Sequence, residues 1–349
     1  MSVTVSDFGC LKDGSRASLF TIRNKNGISV EITDFGANLV RLFVPDRNGK
    51  LDDIVLGFDD VKGYTVNPSY FGSTIGRNAN RIGNSTFTLD GETYKLEVND
   101  NENNLHSSFD DGYNKRFFKA EIKPDDSVTF SLFSKDGDQG FPGNLNMSVT
   151  YKLTDDNELV ISYTGKSDKD TVFNPTNHSY FNLSGHDSGS VMHCKLKLFS
   201  KELTPVAEGS IPTGEIMKIA GTPFDFSELT TIGDRIDDKN ELLGIGLGYD
   251  INYVIDKKGR EYGCAAVLVD EKSGRSITAY TDLPGVQLYT GNCIKTQKGK
   301  GGVTYKKRNA VCLETQFYPD AINHPEFPQP VLKAGEEFTS TTTYKFGVC

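Results

Sequence analysis

The sequence predicts an all-β protein built as a large antiparallel β-sandwich, and three observations carry that expectation. Helical periodicity is nearly absent from the 349 residues, and period-two alternation of apolar and polar residues takes its place. Turn chemistry is dense, with 35 glycines and 13 prolines, as many short strands require. No fixed-period repeat, low-complexity segment or Pro/Ser-rich linker interrupts the chain. Residues 1–349 therefore read as one domain, too long for a small barrel and better served by stacked sheets.

The elements follow in order. Ile28, Val30 and Ile32 alternate with Ser29 and Glu31, and an apolar stretch returns over 39–44. Residues 87–96 read as a hairpin, because Asp90-Gly91 supplies the positive φ of a tight turn. Residues 151–163 form a second hairpin, turning at 155–157. Strands over 265–269 and 275–280 form a third around Lys272-Ser273-Gly274, and 337–346 is a Thr-rich final strand. The one helical candidate is a short turn at 230–234.

Thirty-eight Lys and Arg against 47 Asp and Glu give a net charge of -9. Such a chain is a poor partner for nucleic acid or an anionic membrane, which need a positive field. The basic stretch 295–308 (Lys295, Lys298, Lys300, Lys306, Lys307, Arg308) has glycines and no interleaved aromatics, so it reads as a solvated loop. The first residues carry neither a basic nor an apolar segment of a secretion signal, and no apolar run approaches membrane-spanning length. The six cysteines are scattered, without C-x-x-C spacing. The expectation is a cytoplasmic protein with reduced thiols.

Several chemistries lack their signatures. There is no phosphate-binding G-x-x-x-x-G-K-[ST], and the Gly244, Gly246, Gly248 run has neither dinucleotide spacing nor a βαβ setting. No G-x-S-x-G elbow appears. His106, His178, His186, His193 and His324 form no local zinc motif, which leaves only ligands from distant segments.

Three stretches depart from ordinary strand or loop. Residues 76–82 and 101–106 concentrate Arg77, Arg81 and several asparagines. They are either a surface turn with an ion pair or a pocket wall, where planar donors suit vicinal hydroxyls. In 174–183, His178 is either a structural histidine or a general acid. In 310–316, Glu314 follows an apolar run. It is either an outward strand residue or a desolvated carboxylate whose raised pKa suits a base.

Together these stretches resemble the aldose 1-epimerase (galactose mutarotase) family over essentially the whole chain. The matching motifs are Gly76-Arg77 with Ala79-Asn80-Arg81-Ile82, Asn104-Leu105-His106, Thr176-Asn177-His178-Ser179-Tyr180-Phe181-Asn182-Leu183, Gly248-Tyr249-Asp250, and Leu313-Glu314-Thr315-Gln316. The resemblance implies the galactose mutarotase-like supersandwich. It implies interconversion of the anomers of free aldohexoses such as galactose and glucose, with no cofactor and no metal, by a monomer or weak dimer. By motif, His178 matches the catalytic acid, Glu314 the catalytic base and His106 the second active-site histidine. Asn80, Arg81, Asp250 and Gln287 match sugar-binding positions. The chain departs from the family at Ser107-Ser108, where glycine usually follows the histidine, and at Ile251 and Phe317, where histidine is common. The alternatives are a hexose-6-phosphate 1-epimerase and a non-catalytic sugar-binding domain of the same fold.

Anomer exchange needs a base at the O1 proton and an acid at the ring oxygen O5. The expectation is Glu314 at O1 and His178 at O5, with a bell-shaped pH profile whose limbs report Glu314 deprotonated and His178 protonated. With no Trp in the chain, any apolar sugar face must rest on Tyr, Phe or aliphatic residues.

Overall fold

The computed structural model describes residues 2–349, and Met1 lies outside them. Among these residues every ladder of two or more residue pairs is antiparallel, in keeping with the β-sandwich expected. A nine-stranded sheet runs in the order Lys119–Ile122, Val128–Ser134, Leu145–Leu153, Glu158–Ser167, Glu337–Val348, Arg275–Thr281, Gly263–Val269, Lys195–Leu198, Thr230–Thr231. The chain's last strand thus sits in the sheet's middle, between two hairpins. One five-stranded sheet is an amino-terminal meander from Ser2–Cys10 to Leu51–Asp53. The other runs Met217–Lys218, Ser200–Thr204, Asp250–Ile255, Gly285–Tyr289, Cys312–Gln316.

One apolar cluster joins the three sheets. Phe20, Ile22 and Val30 come from the meander, Phe130, Val149 and Ile161 from the large sheet, and Tyr253, Leu288 and Leu313 from the third. Strict alternation of burial along Leu145–Leu153 shows one face packed and the other toward solvent. Gly285–Tyr289 and Cys312–Gln316 are instead buried at every position. On their second faces Gln287, Tyr289 and Glu314 form the floor of a cleft.

The three expected hairpins are present. The first turns at Asp90 and Gly91, both at positive φ. The helical expectation was too sparing. Residues 230–234 divide into strand Thr230–Thr231 and a 3₁₀ turn, Ile232–Asp234. Two short α-helices also occur, Val61–Val66 and Glu241–Gly246, N-capped by the side chains of Asp60 and Asn240. Six residues each are too few to show an amphipathic period. No described helix is long and apolar enough to cross a membrane. All six cysteines are unpaired.

The basic stretch is not simply a solvated loop. Lys300 is 2% exposed, and its ammonium donates to the carbonyls of Val40 and Val55 and to the Asp53 carboxylate. Arg308 pairs with Asp237 at 2.6 Å.

Candidate active site

Cross-strand register builds the floor. In the third sheet Gln287 stands opposite Glu314, and Asp250 opposite Tyr289. Paired residues share a face, so these four side chains project together, while Val286, Leu288 and Leu313 point into the core. Gln287 Nε2 donates to Asp250 Oδ1 at 2.6 Å.

The acid candidate comes from a neighbouring strand. Thr176–His178 pairs with Ser73–Ile75 and is tied to the Glu314 strand by Thr176 Oγ1 donating to the Thr315 carbonyl, at 2.8 Å. Gly72 makes the close approach possible: its amide donates to the His178 carbonyl, its φ is 66°, and a Cβ there would lie 1.9 Å from the Leu39 oxygen. His178 stacks on Tyr180, with ring centroids 4.9 Å apart and planes within 9°. Tyr70 lies nearly parallel to it at 6.1 Å.

The opposite wall is the two-stranded pair Arg81–Ile82 and Asn104–Leu105. It extends into a reciprocal clasp, in which the His106 amide donates to the Asn80 carbonyl and the Asn80 amide donates to His106 Nδ1 at 3.1 Å. Ser107, at φ 68°, accepts from the Asn78 amide and donates to the Asn78 carbonyl. The hydroxyl thereby anchors a turn for which glycine would be the unstrained choice. The other departures, Ile251 and Phe317, do not line the cleft.

All seven residues singled out by sequence (Glu314, His178, His106, Asn80, Arg81, Asp250 and Gln287) line one cavity of about 200 Å³. Glu314 and His178 face the same space, with Oε2 and Nε2 3.5 Å apart. Glu314 Oε2 and His178 Nδ1 are buried without a hydrogen-bond partner. Tyr70, Asp100, Tyr180, Tyr289 and Cys293 also line the cavity and were not picked out from sequence. The three tyrosines offer aromatic surface to the cavity. Arg77 does not reach the cavity. It is fully buried, donating to Ser134, Pro142, Thr171, Lys135 and Gly143.

Burial dominates the electrostatics. It drives the Glu314 carboxyl well above its ordinary range, reinforced by Asp250 and opposed by Arg81. It drives His178 down to about 3. His106 falls for the same reason, with smaller contributions from His178 and Arg81. Asp250 is raised by burial against Arg81 and the Gln287 hydrogen bond. Burial thus pushes Glu314 toward its protonated form and His178 toward its neutral form.

His106, His178 and Glu314 present potential ligand atoms within 4.8 Å of one another. Their donor chemistry does not suit a cation. Because His106 Nδ1 accepts the Asn80 amide, its proton belongs on Nε2, which is then a hydrogen-bond donor and not a ligand. A second trio, His193, Cys194 and Asp270, lies outside the cleft. There Asp270 is already occupied by the Ser184 hydroxyl and the amides of Lys272 and Ser273.

Comparison with known proteins gives a consistent result. The family model described as aldose 1-epimerase matches residues 18–345. The chain is 40% identical over 349 residues to galactose mutarotase of Bos taurus, covering 100% of this chain and 99% of that protein. It is 38% identical to aldose 1-epimerase of Escherichia coli (strain K12), covering 96% of each. Among solved structures it superposes on an aldose epimerase homologue from C. elegans with a TM-score of 0.88, at 33% identity, over 95% of this chain and 99% of that one. A galactose 1-epimerase from Lactobacillus acidophilus NCFM gives 0.85 at 25% identity, covering 99% of each.

Proposed function

This chain belongs to the aldose 1-epimerase family, and we propose that it interconverts the α and β anomers of free aldoses such as galactose and glucose. The observation that carries this reading is the meeting of Glu314 and His178, 136 residues apart in sequence (314 minus 178), at 3.5 Å in one cavity. The two reacting oxygens of the sugar, O1 and O5, share the single carbon C1. An acid and a base that serve them must therefore stand close together.

In the forward step, the Glu314 carboxylate removes the O1 proton as the C1–O5 bond opens, and His178 delivers a proton to O5. The freed aldehyde turns about the C1–C2 bond, and the roles reverse on closure. His106, held as an Nε2–H donor by its clasp with Asn80, steadies negative charge at O5 or orients the ring. Asn80, Arg81, Asp250 and Gln287 grip the remaining hydroxyls and fix the reacting geometry.

The proton inventory reconciles this step with those pKa directions. A protonated Glu314 beside neutral His178 and a carboxylate beside an imidazolium hold the same one proton. Sugar O1–H donating to Glu314 and O5 accepting from His178 both favour the second form, as does the π-face of Tyr180 against the imidazolium.

The one-proton pair persists from the depressed His178 value up to the raised Glu314 value. The kcat/KM plateau is therefore expected to be broad, and to belong to the pair and not to either residue. With ordinary values of 4.5 and 6.5, activity would fall more than about tenfold between about pH 6 and about pH 8. With Glu314 raised and His178 lowered, a shallower fall is expected over that interval, and one that steep would contradict the shared proton.

The activity is tested by polarimetry of freshly dissolved α-D-galactose and α-D-glucose, after subtraction of the enzyme-free rate. No acceleration of either sugar would refute the reading. A hexose-6-phosphate 1-epimerase is disfavoured, because Arg77 is spent on backbone carbonyls and Arg81 is engaged by Asp100 at 2.7 Å. A non-catalytic sugar-binding domain does not account for the buried, unpartnered acid–base pair.

A further inference from the structure

The cavity is lined by three carboxyl groups, Asp100, Asp250 and Glu314, against a single guanidinium, Arg81. Asp250 and Glu314 lie on the floor. Asp100 is different: its side chain is 26% exposed, and it receives Arg81 Nε at 2.7 Å. It is also held rigidly. Asp100 and Asn103 exchange both backbone hydrogen bonds. Asn99 clamps Leu105 through donor and acceptor, at 3.0 and 2.7 Å, and Leu105 is the register partner of Arg81. The turn carrying Asp100 is thus locked to the wall carrying Arg81 and His106.

Resting on the function proposed above, we infer that Asp100 is a specificity determinant that excludes aldoses bearing an anionic group, such as uronates. Two effects act together. Asp100 and Asp250 answer the Arg81 charge within the protein, so no positive excess is left for a substrate carboxylate or phosphate. The Asp100 carboxylate also repels an anion that enters beside it.

The experiment compares kcat/KM for α-D-galactose and α-D-galacturonate by polarimetry, at neutral pH and at low and high salt. Wild type is measured with Asp100→Asn and Asp100→Glu. Wild type is expected to favour galactose by at least about tenfold, and added salt should narrow the gap by screening the repulsion. Asp100→Asn is expected to raise the galacturonate-to-galactose ratio about tenfold, a change of about 1.4 kcal/mol, and to lose the salt effect. Asp100→Glu should restore discrimination. A residue that only propped up Arg81 would weaken both sugars alike and leave the ratio and its salt dependence unmoved. An unmoved ratio, or equal use of both sugars by wild type, overturns the inference. If Asp100→Asn fails to fold, a wild-type gap insensitive to salt overturns it. Inactivity of wild type toward galactose would instead overturn the proposed function.

Discussion

Glu314→Gln is expected to slow enzyme-catalysed mutarotation of α-D-galactose by about 10²–10⁴-fold, the usual contribution of a positioned proton-transfer group. The substitution preserves shape and removes only the capacity to take a proton. Its structural cost should be small. Glu314 is 2% exposed, its Oε2 has no partner, and burial already disfavours its charge. A neutral amide relieves that penalty, so the melting temperature should hold or rise. His178→Asn should fall by a similar factor, and the double variant should be scarcely slower than either single one, because acid and base act as one unit. Polarimetry with the spontaneous rate subtracted measures all three. A Glu314→Gln enzyme that folds and turns over at the wild-type rate takes the carboxylate out of the mechanism.

The cleft was legible where its residues lie in unbroken motif runs. His178 within 176–183 and Glu314 within 313–316 carry their chemistry in local wording. The period of two then places Glu314 beside Gln287 once their strands pair. What was not legible depended on register between distant segments. Asp100 sits in a polar turn with no signature, and its importance arises only because Leu105 pairs with Arg81 and folds that turn over the guanidinium. Arg77 and Arg81 look equivalent in sequence. Yet Arg77 faces away into a nest of carbonyls from residues 134–143, which only the fold brings around it. A raised Glu314 pKa was one of two readings open in sequence, but the lowering of His178 was out of reach, because it is desolvated by strands that sequence cannot assign to each other.

Lys300 shows the same limit, and it carries the largest stability effect expected. Composition made it one of six basic residues in a Gly-rich loop; the fold buries it against Asp53. Lys300→Met removes the ammonium and leaves the Asp53 carboxylate buried, with only the Leu42 and Val55 amides donating to it, and two carbonyls lose their donor. Breaking one side of a buried ion pair typically costs about 3–5 kcal/mol, because the partner charge stays uncompensated. Adding Asp53→Asn keeps an acceptor for both amides while discharging the site, so the double variant should be more stable than Lys300→Met alone. The coupling energy from the four melting curves isolates the charge term from the lost packing of the lysine stem. Galactose turnover in the folded fraction should be reduced far less than in Glu314→Gln, because neither Lys300 nor its partners line the cavity. A Lys300→Met protein as stable as wild type, or a double variant no better than the single one, would show that Asp53 is solvated and that the pair is no buried bridge.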